Sequence, residues 1–230
     1  MQSNAQTAQK LSPELLWKIG RVGLDCISPD GQYAVYGVHR YDVPKNKSTR
    51  VLYVVNIKTG DTRALTSPDQ IASDAEFTPD GKRIGFLRNG KLCEVNREGS
   101  AIAQLSELEI NGFHYSPDGK SVLFVQEVKH DNTTAENNPD LPNTTGRVID
   151  GLFFRHWKSW HEYKYNNIFY ANYTEGKLAS KPINIMNERF DSPLKPMGGM
   201  EQITWSPDSR FIVYTCRKLN GTAEAQSTNS

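Results

Sequence analysis

At 230 residues, 37% apolar and 23% charged, the chain has an ordinary globular composition and enough apolar side chains for a sizeable core. A net charge of +1 leaves no electrostatic footprint for nucleic acid or an anionic membrane surface, and no apolar run is long enough to span a bilayer. The 5 histidines show no zinc-ligand spacing with a matching cysteine or acid, so neither a metal nor a cofactor is expected.

Residues 1–9 are polar and lack the charged and apolar regions of a signal peptide. Such a start suits a secreted or periplasmic protein whose signal has been removed, and equally a plain polar terminus. A short helix is predicted next. Ser12 is its cap, Pro13 occupies the first helical position and Glu14 lies in the first turn. Residues 1–20 are thus read as a tail and a short helix.

From residue 21 onward one tight turn recurs four times: Ser28-Pro29-Asp30-Gly31, Thr78-Pro79-Asp80-Gly81, Ser116-Pro117-Asp118-Gly119 and Ser206-Pro207-Asp208-Ser209. The hydroxyl caps the turn, Pro presets φ at the first corner and Asp bonds back to the backbone. Gly then takes a left-handed position. Ser209 departs from this pattern and must tolerate positive φ or relax the turn. Short β-branched and aromatic runs flank each turn, among them Tyr33-Ala34-Val35-Tyr36 and Val122-Leu123-Phe124-Val125, and read as strands.

A second signature follows three of the turns: an apolar strand ending in Asn, then Gly. Its copies are Asn56 with Gly60, Asn96 with Gly99 and Asn172 with Gly176, each followed by a short closing strand. Four antiparallel strands per unit, repeating at about forty residues, make a propeller blade. A β-sandwich would seldom repeat two turn signatures in the same order. The expected fold is therefore all-β, a partial β-propeller of about three and a half four-stranded blades after a short N-terminal helix.

Blades are placed at residues 21–70, 71–109, 110–195 and 196–230. The second is the bare unit. The first is lengthened near residues 41–49, read as a longer loop, and the third carries an insertion at 129–165. Insertions of that length inside a compact domain are commonly functional. The fourth blade is read as unfinished, which leaves open sheet edges and makes self-association a possible consequence. Cys26, Cys93 and Cys216 contain no Cys-x-x-Cys and are read as small residues packed among strands.

Repeated Ser-Pro-Asp-Gly blades occur in TolB-like periplasmic propellers and in prolyl-oligopeptidase-family peptidases. Three segments resemble the second group, specifically its dipeptidyl peptidase V type. They are Leu11-Ser12-Pro13-Glu14-Leu15-Leu16 leading into Gly20-Arg21-Val22, the stretch from Thr145-Gly146-Arg147-Val148-Ile149-Asp150 to His156-Trp157-Lys158-Ser159-Trp160, and Ser227-Thr228-Asn229-Ser230. The resemblance implies a propeller that gates and positions peptide for a C-terminal α/β-hydrolase domain, in an enzyme releasing dipeptides from amino termini. The chain holds no Gly-x-Ser-x-Gly elbow, so no catalytic residue is expected within it. A stand-alone TolB-like propeller that binds protein or peptide is the alternative.

Under the resemblance, cutting two residues from an end requires a carboxylate at a fixed distance from the nucleophile, to pair with the substrate's α-ammonium. Related dipeptidyl peptidases place it on an insertion after a Trp, which points to Glu162 in Trp160-His161-Glu162-Tyr163. Arg155, His156, Trp157 and Trp160 are the other substrate-binding candidates. The aromatics could equally cover the propeller's own surface, and Arg155 could pair with Asp150 instead of a substrate carbonyl.

Overall fold

The computed structural model describes residues 10–149, 155–156, 158–160, 163–174, 176–179 and 181–219. The chain opens with helix α1 (Pro13–Lys18), where Ser12 Oγ accepts a hydrogen bond from the Leu15 amide at 3.2 Å. The cap and the proline are those expected.

The first sheet is an antiparallel meander of β1 (Arg21–Ile27), β2 (Tyr33–Asp42), β3 (Lys47–Asn56) and β4 (Thr62–Ala64), in that order. The second repeats it with β5 (Ala72–Phe77), β6 (Arg83–Arg88), β7 (Lys91–Asn96) and β8 (Ala103–Gln104). In the third, β9 (Phe113–Tyr115) pairs β10 (Ser121–Lys129), and β10 pairs a later strand, β13 (Lys164–Thr174). Helix α2 (Thr134–Asn137) and the small hairpin of β11 (Arg155–His156) and β12 (Ser159–Trp160) lie between β10 and β13. Strand β13 then pairs β14 (Lys177–Leu178) and β15 (Ile183–Asn184). A 3-10 turn (Met200–Gln202) leads into a last described hairpin, β16 (Ile203–Trp205) with β17 (Ile212–Tyr214). Consecutive four-stranded antiparallel meanders with few helices are the blades of a partial β-propeller.

The tight turns form as their residues dictate. Gly31, Gly81 and Gly119 take φ of 68°, 71° and 68°, and Ser209 takes the same left-handed conformation at 59°. In the first turn, Ser28 Oγ donates to Asp30 Oδ1 at 2.5 Å and accepts the Tyr33 amide at 2.9 Å, while Asp30 Oδ1 also accepts the Gln32 amide. The pattern recurs at Ser116 with Asp118 and at Ser206 with Asp208. Two local polar side chains thereby satisfy the backbone groups that leave the ladder.

Two sequence expectations change. Residues 41–49 do not lengthen a loop. Strands β2 and β3 stay paired out to Asp42↔Lys47, and only residues 43–46 turn. Asn172 does not end its strand either, because β13 runs on to Thr174, which pairs Lys177 across the turn at Gly176. Asn56 does cap its turn, its Oδ1 accepting the amides of Lys58 and Thr59 at 3.0 Å each.

The chain forms two compact units, one within Met1–Phe77, Gly81–Asn89 and Val95–Ile102, the other within Thr78–Asp80, Gly90–Glu94 and Ala103–Ser230. In the first, Arg50 ties strands together: Nη2 meets Asp25 Oδ2 at 2.7 Å and Nη1 donates to the Ala72 carbonyl at 2.9 Å. Val35, Leu52 and Val54 of the same sheet are buried. In the second, Leu123, Val125, Ile168, Met186 and Ile203 form a core against which Trp205, Ile212 and Tyr214 pack. None of the three cysteines forms a disulfide among the described residues; Cys93 is fully buried, and burial pushes the Cys26 thiol up to about 12.

Candidate functional site

The insertion of the third blade grows out of a rigid base. The β10–β13 ladder runs unbroken from Ser121↔Asn172 to Lys129↔Lys164, past the length a bare blade needs. At its tip Tyr163 adopts φ 63°, and its carbonyl accepts the amides of His130 and Asp131 at 3.1 and 3.3 Å. The Asp131 carboxylate accepts the Tyr165 hydroxyl at 2.6 Å and pairs with Arg189. Beneath, the fully buried Asn167 bonds the Glu188 carbonyl and the side chains of His130 and Asn184. These polar groups are therefore matched to one another, which fixes where the insertion departs.

Helix α2 follows at once. Thr133 and Glu136 form a capping box, and Glu136 also pairs with Lys129. The Lys129 ammonium and the cap's N–H and O–H donors hold the Glu136 carboxyl down at about 2. A helix of four residues needs such help.

The hairpin that follows carries two of the expected residues together. Arg155 stands opposite Trp160, and His156 opposite Ser159. The Arg155 guanidinium lies over the Trp160 ring, 5.4 Å from its centroid. A second guanidinium, that of Arg147, lies 5.3 Å from the same ring and 5.8 Å from the ring of Tyr163. Trp160 remains 38% exposed. Arg155 thus engages an aromatic face; Asp150, its alternative partner, lies outside the described residues, as do Trp157 and Glu162. His156 is described only by its place on β11.

Chemically, the site brings two guanidinium groups against one partly exposed indole ring, a cation–π arrangement that fixes both planes beside an apolar surface. Sequence reading named Arg155 and Trp160 and passed over Arg147 and Tyr163. The available signal was the recurrence of cationic and aromatic residues, Arg147, Arg155, Trp160 and Tyr163, along the insertion.

A second buried polar centre went unread. Glu94, fully buried on β7, accepts the hydroxyls of Tyr115 and Tyr173 on one carboxylate oxygen, at 2.8 and 2.5 Å. An acid inside the apolar run Leu92-Cys93-Glu94-Val95 is the trace it leaves in the sequence.

No family model matches the chain. Over 99% of its length it is 38% identical to Dipeptidyl-peptidase 5 of Porphyromonas gingivalis, and over 98% it is 31% identical to Dipeptidyl-peptidase 5 of Porphyromonas endodontalis. A fungal Dipeptidyl-peptidase 5, from Aspergillus fumigatus, is 23% identical over 91% of the chain. The chain spans about a third of the length of these relatives (34%, 34% and 32%). Among solved structures, the acylaminoacyl peptidase of Pyrococcus horikoshii aligns with 80% of the chain and 28% of its own, at TM-score 0.59 and 12% identity. The AtxE2 isopeptidase, as its S527A variant with Astexin3-dC4 bound, aligns with 78% of the chain and 32% of its own, at TM-score 0.52 and 14% identity. At such identities the structures speak to fold alone.

Proposed function

We propose that this chain, which resembles the propeller region of dipeptidyl-peptidase 5, is the non-catalytic propeller of a secreted or periplasmic serine exopeptidase that removes dipeptides from peptide amino ends. The observation that carries the reading is identity of 38% over 99% of the chain to a protein of that name. In this reading the partners are the peptide substrate and an α/β-hydrolase domain that supplies the nucleophile. The propeller restricts access to that domain, so that only chain ends reach the reacting centre.

The insertion does the positioning. Arg155 and Arg147 are held by stacking on Trp160 and direct N–H groups at substrate carbonyls, while the indole offers an apolar wall. Glu162, two residues beyond Trp160, is proposed as the anchor for the free α-ammonium, with His156 and Trp157 completing the subsite. The exposed apolar residues Val22, Leu24 and Ile27 on β1 are proposed to drive self-association of the isolated chain. Light scattering after size exclusion tests that; a monomer at all concentrations refutes it.

For the anchor, the test is Glu162→Ala in the complete peptidase, assayed with a dipeptidyl substrate and its amino-acetylated counterpart. Loss of a buried charge partner lowers kcat/KM for the free-amine substrate by about 2 kcal/mol, roughly thirtyfold, and narrows the preference over the acetylated one. Unchanged discrimination removes Glu162 from the site. Absence of dipeptide release by the unmodified complete protein removes the peptidase reading itself.

A further inference from the structure

A cavity of about 390 Å³ lies within the first unit, away from the insertion, between the end of α1 and the extended β2–β3 hairpin. Trp17, Tyr41, Asp42, Val43, Asn46, Lys47 and Ser48 line it. Its volume falls within the range of small-molecule sites.

Its aromatic wall is fixed in place. Trp17 meets Tyr41 edge to face at 5.2 Å, and His39 stacks on Tyr41 at 4.7 Å. The Arg21 guanidinium lies 4.4 Å from the Tyr41 centroid and 5.1 Å from that of Trp17. Trp17 is nevertheless 42% exposed and Val43 56% exposed, so the wall is apolar surface left facing water. The wall exists because β2 and β3 continue beyond the blade; without Tyr41 to Ser48 there would be no cavity.

The charges around it are unbalanced. Asp42 is already committed: its Oδ2 pairs with Lys45 at 2.9 Å and its Oδ1 accepts the Lys45 amide at 3.2 Å. Those bonds, led by the one from the Lys45 ammonium, hold its carboxyl below the usual range. Lys47 stands across from Asp42, is exposed and also helps to lower the Asp42 carboxyl through its charge, yet among the described residues it forms no ion pair within contact distance. Arg21 likewise meets rings and, among the described residues, no carboxylate. Two lysines, Lys45 and Lys47, therefore share the single lining carboxylate of Asp42, which leaves one positive charge in excess beside the aromatic wall, with Arg21 stacked against its rings outside the lining. A cationic ligand would be repelled by the excess charge, and a neutral apolar one would leave Lys47 unused. The complementary ligand carries one carboxylate beside an apolar or aromatic group.

We propose that this cavity is a binding site for small aromatic or apolar carboxylates, of the kind presented by an N-blocked amino acid or by the carboxyl end of a short peptide. Trp17 and Tyr41 take the apolar group, and Lys47 takes the carboxylate. The proposal is independent of the peptidase reading, since it concerns the chain alone.

The test uses the 230-residue chain and NMR of its tryptophan indole N–H groups, with Trp17 assigned through Trp17→Phe. N-acetylphenylalanine should shift the Trp17 signal saturably with a dissociation constant in the millimolar range, about −4 kcal/mol. N-acetylphenylalaninamide, lacking the charge, should bind at least tenfold more weakly, and Lys47→Glu should abolish the difference while its remaining spectrum stays folded. Ala-Ala-Phe distinguishes the two sources: tighter binding than N-acetylphenylalanine marks a peptide end as the ligand, equal or weaker binding a single amino acid. Equal binding of acid and amide, an unmoved Trp17 signal, or full binding by Lys47→Glu overturns the proposal.

Discussion

The backbone amide of Asp118 donates a hydrogen bond to Oγ of Ser209 at 2.9 Å, joining the tight turn of the third repeat to that of the fourth. Ser209 is the one position where the fourth repeat lacks glycine, and it holds the glycine conformation regardless, at φ 59°. The strain of a left-handed residue with a Cβ, of the order of 1 kcal/mol, is offset by a bond that glycine could not make. Ser209→Ala keeps the strain and loses the bond, and is expected to destabilise the chain by about 1 kcal/mol in urea unfolding. Ser209→Gly loses the bond and relieves the strain, and should lie within a few tenths of the unmodified protein. Equal loss in both variants would show that the left-handed backbone carries no strain, and an unchanged Ser209→Ala that the hydroxyl contributes nothing.

Gly37 on β2 has no room for a side chain. A methyl built there would overlap the Arg50 guanidinium, which cannot swing away without leaving Asp25 and the Ala72 carbonyl. Arg50 and Asp25 are both largely buried (17% and 7% exposed). Gly37→Ala is therefore expected to lower stability by about 2 kcal/mol through overpacking. In the background of Arg50→Met the same change should be milder, a coupling that double-mutant unfolding measures. Simple additivity would place the cause elsewhere.

What the sequence revealed follows from the range of each interaction. The Ser-Pro-Asp-Gly turns and the Ser12 cap were legible because their partners lie within five residues. The hairpin extension at 41–49 was not. His39, Arg40, Asp42, Lys47, Ser48 and Thr49 are polar on both faces, so no alternation betrays a strand. Asn172 was misplaced because its turn role at Asn56 was carried over to a strand that continues. In the insertion, Arg155 and Trp160 could be named from composition and the resemblance. That Arg147 shares their ring depends on the hairpin's fold, which no local pattern encodes. Glu94 stands out among apolar neighbours, yet its two tyrosine partners lie 21 and 79 residues away.

That distant pairing makes its own prediction. Tyr173→Phe removes one of two hydroxyls bonded to a buried carboxyl oxygen and leaves the ring packed against Tyr115, 5.2 Å between centroids. The packing is kept, while the donor to Glu94 and the acceptor of the Gly176 amide at 3.3 Å are lost, so a destabilisation of about 1–2 kcal/mol is expected, larger than that of a surface Tyr→Phe change. Tyr41→Phe is the comparison, since its ring contacts remain. A loss at position 173 no greater than at 41 would mean that Glu94 finds a replacement donor.

The repeated turns should also register in acid. Asp30, Asp118 and Asp208 have carboxyls lowered first by the hydroxyl of Ser28, Ser116 or Ser206, and next by the amide of Gln32, Lys120 or Arg210. Glu136 is lowered further, to about 2, chiefly by Lys129. A carboxyl whose folded pKa lies below its unfolded one binds fewer protons when folded. Its contribution is thus complete above the unfolded value of about 4 and is lost as the pH falls through the folded value. All four groups are solvent-exposed, so each contributes modestly and salt weakens the charged pair most. Through these groups, melting temperature should stay level from pH 7 to about 5 and decline below about 4. The triple variant Asp30→Asn, Asp118→Asn, Asp208→Asn should start lower at pH 7 and show a shallower fall in acid. Parallel curves for variant and parent would mean that the turn carboxylates are equally well bonded in the unfolded chain.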